Sequence, residues 1–114
     1  MDRDGIYKQH ILDAISGIEE YIKGKKFDDF ANDRLLQDGV VRKLEIIGEA
    51  SKRLSEEFKK KINLPWKKIT GTRDKLIHDY FKVDLEAVWK TISEDISQLR
   101  DKLLETSSLT IKEQ

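Results

Sequence analysis

Arg73, His78 and Tyr80 fall within the stretch Thr72-Arg73-Asp74-Lys75-Leu76-Ile77-His78-Asp79-Tyr80, which holds one of the two histidines of the chain. At about 100° per residue on a helix, Arg73 and Tyr80 lie about 20° apart, with Leu76 and Ile77 beside them. Asp74 and His78 are one turn and about 40° apart on an adjacent strip. From there Asp74 can accept a hydrogen bond from His78, hold its tautomer and raise its pKa toward neutrality. Arg73 and His78 are about 140° apart, too far to meet on one atom from a straight helix. Either the helix starts after Arg73, or a second copy completes the site across a two-fold axis.

These residue types suffice for RNA cleavage without metal. A base takes the proton of the ribose 2′-hydroxyl, a cation stabilises the charge gathering on the phosphoryl group, and an acid protonates the leaving oxygen. Histidine serves as base or acid near neutral pH. Arginine grips phosphoryl oxygens with a planar fork. Tyrosine can stack on a base or donate to a phosphate. The same residues also admit a plain reading, a buried Asp–His pair beside a surface arginine.

The surrounding charge favours an anionic partner. The chain has 22 basic and 22 acidic residues, a formal net charge of zero. Residues 59–75 nevertheless carry Lys59, Lys60, Lys61, Lys67, Lys68, Arg73 and Lys75 against Asp74 alone, so the remainder is acidic. A basic stretch ending at an Arg/His motif is where a phosphate backbone would lie, and Lys67, Lys68 and Lys75 are its candidate contacts. A solvated lysine face is the ordinary alternative.

The elements that must carry this segment read as helices. Tyr7, Ile11, Ala14, Ile15, Ile18 and Ile22 recur at three- and four-residue steps over about Asp4 to Lys23, and Gly24 supplies the stop. Phe27-Asp28-Asp29-Phe30 reads as a turn whose aromatics plug the bundle end. A long second helix is expected from about Asn32 to Lys60, its stripe running Leu36, Val40, Leu44, Ile47, Ser51, Leu54 and Phe58. Gly39 and Gly48 sit inside it, each costing up to about 1 kcal/mol relative to alanine, and the small residues Gly48, Ala50 and Ser51 on neighbouring turns suggest close approach of another helix. Pro65 and Trp66 start a short helical turn that docks with Ile69, Gly71 ends it, and Thr72 can cap the motif helix. There a free N–H group and the positive dipole end favour phosphate. A last helix spans about Asp84, a good cap, to Leu104, with Leu85, Val88, Trp89, Ile92, Ile96, Leu99 and Leu103 as its stripe.

The fold class is therefore all-α: one antiparallel bundle of four main helices plus a short helix, over 1–105, with a frayed polar tail over 106–114. Charged residues at 39%, one proline and six glycines suit this class and leave little punctuation for strands. With no cysteine, disulfides and thiolate metal sites are excluded. Glu45 and Glu49 share a helix face, but Arg42, Lys52 and Arg53 offer them ion pairs, and no metal site is expected. His10 reads as a packed or surface residue. Met1-Asp2-Arg3-Asp4 lacks the features of a signal peptide, and no apolar run exceeds about three residues, so a cytoplasmic protein with no membrane partner is expected.

Arg73-x-x-x-x-His78-x-Tyr80 resembles the signature of the HEPN superfamily in its HepT-like form. Ile47-Gly48-Glu49-Ala50, Trp66 upstream of the motif and Val88-Trp89 extend the resemblance over about residues 3–104. It implies a homodimeric helical toxin acting as a metal-independent endoribonuclease, without cofactor, paired with a minimal nucleotidyltransferase antitoxin. By resemblance, Arg73 and His78 are catalytic and Tyr80 is the tyrosine to which the antitoxin transfers AMP. Asp74 departs from the asparagine frequent at its position. A carboxylate there would orient His78 yet repel phosphate. The rival expectation, from another class, is a non-catalytic helical module that binds a nucleotidyltransferase.

Overall fold

A computed structural model describes residues 2–71 and 84–113, with side chains described to residue 105. Helix α1, Arg3–Ile22, is capped by the Asp2 carboxylate, which accepts from the Gly5 N–H at 2.7 Å. It ends as expected, at Lys23 and then Gly24, whose φ of 75° only glycine adopts at no steric cost.

The expected aromatic turn is a short helix, α2, Phe27–Ala31. Phe30 is fully buried and its ring stands 5.6 Å from that of Trp89, while Phe27 meets Trp89 edge-on at 6.4 Å. The Gln37 amide ties this plug to the next helix by donating to the Phe30 and Ala31 carbonyls.

The expected long second helix is two helices. Helix α3, Arg34–Arg53, is capped by Asp33 and stops at Leu54. Helix α4, Glu56–Lys61, restarts after Ser55. Leu54 and Ser55 are both extended, and the Ser55 hydroxyl caps α4 by accepting from the Phe58 N–H at 3.0 Å. The break holds because the Asp4 carboxylate, on α1, takes both Ser55 donors. The apolar register survives it: Leu36, Val40, Leu44, Ile47, Ser51 and Leu54 are buried, and Phe58 packs on the same core from α4.

Two contacts set the direction of α1 against α3. Asp4 near the start of α1 meets Ser55 just past the end of α3. Tyr21 near the end of α1 packs over Gly39 near the start of α3, where an added Cβ would stand 3.3 Å from its ring. The two helices are thus antiparallel neighbours, and they approach closely at Gly39, a position the small residues Gly48, Ala50 and Ser51 did not point to.

Residues 66–71 form α5. Gly71, where the turn is expected to end, is helical, and the expected Thr72 cap lies outside the described residues. After the Asp84 cap, which accepts from the Glu86 and Ala87 N–H groups, one continuous rod follows. It consists of α6, Leu85–Lys90, a single π-turn, Thr91–Asp95, and α7, Ile96–Glu113. The helical backbone continues past Leu104, where the apolar stripe ends. Glu19 on α1 and Arg100 on α7 join through a two-oxygen hydrogen-bonded ion pair, which raises the Arg100 pKa above its ordinary value.

The core gathers Ile11, Ile15 and Ile18 of α1, Val40 of α3, and Ile92 and Leu103 of the last rod. Among the described residues there is no strand, and no helix is long and apolar enough to cross a membrane.

Candidate functional site

Arg73, Asp74, Lys75, His78 and Tyr80 lie outside the described residues. The helices on either side of them are described, and one groove is lined by residues of α5 and of the rod that begins after Asp84. On the upstream side Trp66 anchors α5: its indole N–H donates to the carbonyls of Lys59, at 3.0 Å, and Ile62, at 3.1 Å. Trp66 and Ile69 pack against the core, so the short helix docks as expected. Lys67 and Lys68, the two described candidates for RNA contact, are both exposed on it. On the downstream side, Asp84 starts the rod that carries the π-turn.

Between these flanks runs a groove of about 400 Å³. Leu44 and Ile47 of α3, Leu64 just before α5, Ile69 on it, and Ile96 and Leu99 of α7 form its apolar floor. Lys68, Lys90, Thr91, Asp95 and Gln98 form its polar rim. A volume in the range of small-ligand sites, with a few convergent polar groups over an apolar floor, is what a binding site requires.

The rim is shaped by the π-turn. The Ile96 N–H donates to the Thr91 carbonyl five residues back, not four. The hydroxyls of Thr91, Ser93 and Ser97 donate to the carbonyls of Ala87, Trp89 and Glu94, competing with the regular ladder through this stretch. On a regular helix, residues five apart point about 140° away from each other. The wider turn brings Lys90 and Asp95 to line the same groove. None of Lys90, Thr91, Asp95 and Gln98 stood out in the sequence, whose regular stripe through Trp89, Ile92 and Ile96 hides the extra residue. The clustered hydroxyls at 91, 93 and 97 were the available signal.

The remaining candidates fall where the plain readings put them. Arg42 stands 3.6 Å from Glu45 and 3.9 Å from Glu49. His10 is exposed and meets Tyr7 edge-on at 5.5 Å. The guanidinium groups of Arg3 and Arg53 lie 6.0 and 5.7 Å from the Tyr7 ring centre. Partial burial pushes the Lys8 ammonium pKa down.

A family model described as Ribonuclease HepT-like matches residues 11–106. The chain belongs to the HepT-like ribonuclease family. A protein of Thermococcus cleftensis named "Probable ribonuclease HepT" is 46% identical over 97 residues, covering 84% of this chain and 88% of that protein. A "Putative RNase" of Caldanaerobacter subterraneus subsp. tengcongensis is 46% identical over 100 residues, covering 87% of this chain and 89% of that one. A Methanocaldococcus jannaschii protein named "Gamma-glutamylcyclotransferase and putative RNase" is 49% identical over 100 residues. This HepT-like chain spans only 45% of its length. No solved structure matches the chain significantly.

Within this HepT-like chain the family match spans the groove, both of its flanks and the Arg73–Tyr80 segment.

Proposed function

We propose that this chain is the toxin of a toxin–antitoxin pair and an endoribonuclease that needs no metal. The observation that carries this reading is Arg73-x-x-x-x-His78-x-Tyr80 inside a HepT-like match over residues 11–106, with relatives named as ribonucleases. His78, oriented by Asp74, takes the proton of the ribose 2′-hydroxyl. The 2′-oxygen then bonds to the adjacent phosphorus and the bond from phosphorus to the 5′-oxygen breaks. That oxygen leaves with a proton from an acid, which a second copy's histidine can supply in a homodimer. Arg73 holds the phosphoryl oxygens as charge gathers on them. The products are a 2′,3′-cyclic phosphate, or its hydrolysed 3′-phosphate, and a 5′-hydroxyl. Exposed Lys67 and Lys68, with Lys75, hold the strand electrostatically. A minimal nucleotidyltransferase silences the toxin by transferring AMP to Tyr80.

RNA cleavage in EDTA by the wild type and by His78→Ala tests the reading, with the product ends identified. Activity in EDTA that His78→Ala loses, with cyclic or 3′-phosphate ends, is the expected result. Products with 3′-hydroxyl ends, activity only with a divalent ion, or an unimpaired His78→Ala would overturn it. No cleavage by any form leaves the non-catalytic binding module in its place.

A further inference from the structure

The ribonuclease reading uses Arg73, His78 and the lysines, and leaves the polar rim of the groove unexplained. Among the described residues Lys90 and Asp95 have neither a hydrogen bond nor an ion pair, although the π-turn brings both to one groove. Gln98 likewise has no partner among the described residues. The Thr91 hydroxyl, by contrast, donates to the Ala87 carbonyl. A groove with an apolar floor, a cation and an acceptor left open is complementary to a particular kind of ligand. It must be flat and apolar in its body, anionic at one end and rich in N–H donors at the other.

A nucleotide has that distribution. We propose that the groove is a subsite for one nucleotide of single-stranded RNA and that Asp95 makes it prefer guanine to uracil. The proposal rests on the ribonuclease reading for the identity of the strand. The base lies on Leu44, Ile47 and Leu99, where a planar ring displaces water from apolar carbon. Lys90 faces the phosphate as a point charge. The Asp95 carboxylate oxygens are acceptors. Guanine offers them two donors side by side, the ring N1–H and the exocyclic N2–H. Uracil offers a single N–H between two carbonyl oxygens that the carboxylate repels. Gln98 lies three residues beyond Asp95, a neighbour on the helix surface, and its amide N–H can donate to the guanine O6. The volume of about 400 Å³ admits a nucleotide and not a duplex.

The test is titration of the full chain with GMP and with UMP, followed by NMR of the Ile69 and Thr91 main-chain amides and the Gln98 side-chain amide. GMP is expected to shift these signals and to bind at least about fivefold more tightly than UMP, the usual worth of a bidentate base contact. Asp95→Asn, nearly isosteric at an exposed position, is expected to erase most of that difference, and Lys90→Ala to weaken both nucleotides. Absence of shifts in the groove with millimolar GMP, or a preference that survives Asp95→Asn, overturns the proposal. Cleavage of oligonucleotides differing by one guanine or uracil separates it from the reading it rests on. A chain that binds GMP in the groove but cuts no RNA sinks the ribonuclease reading and keeps the subsite. A chain that cuts RNA with no guanine–uracil difference and no GMP binding keeps the ribonuclease and sinks the subsite.

Discussion

The Asp4 carboxylate accepts from both the main-chain N–H and the hydroxyl of Ser55, each at 2.7 Å, across 51 residues of sequence. It joins the first turn of α1 to the break between α3 and α4. Ser55 also caps α4, so Ser55→Ala should cost about 1 kcal/mol, near the middle of the range for caps. Asp4→Ala should cost about the same, since it leaves two donors to water. Because the two residues share one interaction, the double mutant should cost less than the sum, by on the order of 0.5 kcal/mol. Urea unfolding of the four proteins measures this. Strict additivity would show that the contact does not hold the break.

Ser51 is fully buried on α3, and its hydroxyl has no hydrogen-bond partner among the described residues. A buried hydroxyl without a partner opposes folding, while the cavity left by one oxygen is small. Ser51→Ala should therefore leave stability unchanged or raise it by up to about 1 kcal/mol. A clear fall in the unfolding midpoint would mean that the hydroxyl is bonded in solution.

Trp66→Phe keeps most of the apolar surface of α5 but removes the N–H that reaches Lys59 and Ile62. The expected loss is about 1 kcal/mol, concentrated in the docking of α5. Since α5 leads into Arg73, cleavage should fall several-fold with KM little changed, as expected when a reacting group is misplaced. Activity equal to wild type would detach the docking of α5 from the chemistry.

Lys67 and Lys68 are both exposed on α5. RNA binding should weaken as salt rises, and replacing both by glutamine should make the log–log slope shallower by about 1. An unchanged slope would assign them to a solvated face. Arg73→Lys, in contrast, should impair cleavage more than binding, since an ammonium does not reproduce the bidentate grip.

Tyr80→Phe should keep most of the cleavage activity and escape silencing by the partner nucleotidyltransferase with ATP. In the proposed mechanism the modification needs the phenol oxygen, whereas proton transfer rests on His78. An AMP on Tyr80 would place a negative phosphodiester beside Arg73 and fill the cleft with a nucleoside. Intact-mass spectra after co-incubation decide it. Equal modification and silencing of Tyr80→Phe would make the tyrosine structural.

What the sequence determined alone was whatever rests on neighbours a few residues apart. The stripe Ile11, Ala14, Ile15 and Ile18 is buried because helical period and apolar spacing coincide locally. The caps at Gly24 and Asp84 are likewise matters of one turn of backbone. The motif residues stood out by type and spacing, with no need of packing. Tertiary structure decided where locality gave two answers. The period runs unbroken from Leu36 to Phe58, and only Asp4, brought up by the antiparallel packing of α1, takes the Ser55 donors and turns one helix into two. The same holds for the Glu19–Arg100 pair, whose partners are 81 residues apart. The rod at Thr91–Asp95 admits an α-helical or a π register, and hydroxyls bonded to carbonyls of the preceding turn accompany the wider one. That choice, a fraction of a turn in size, brings Lys90 and Asp95 to one groove.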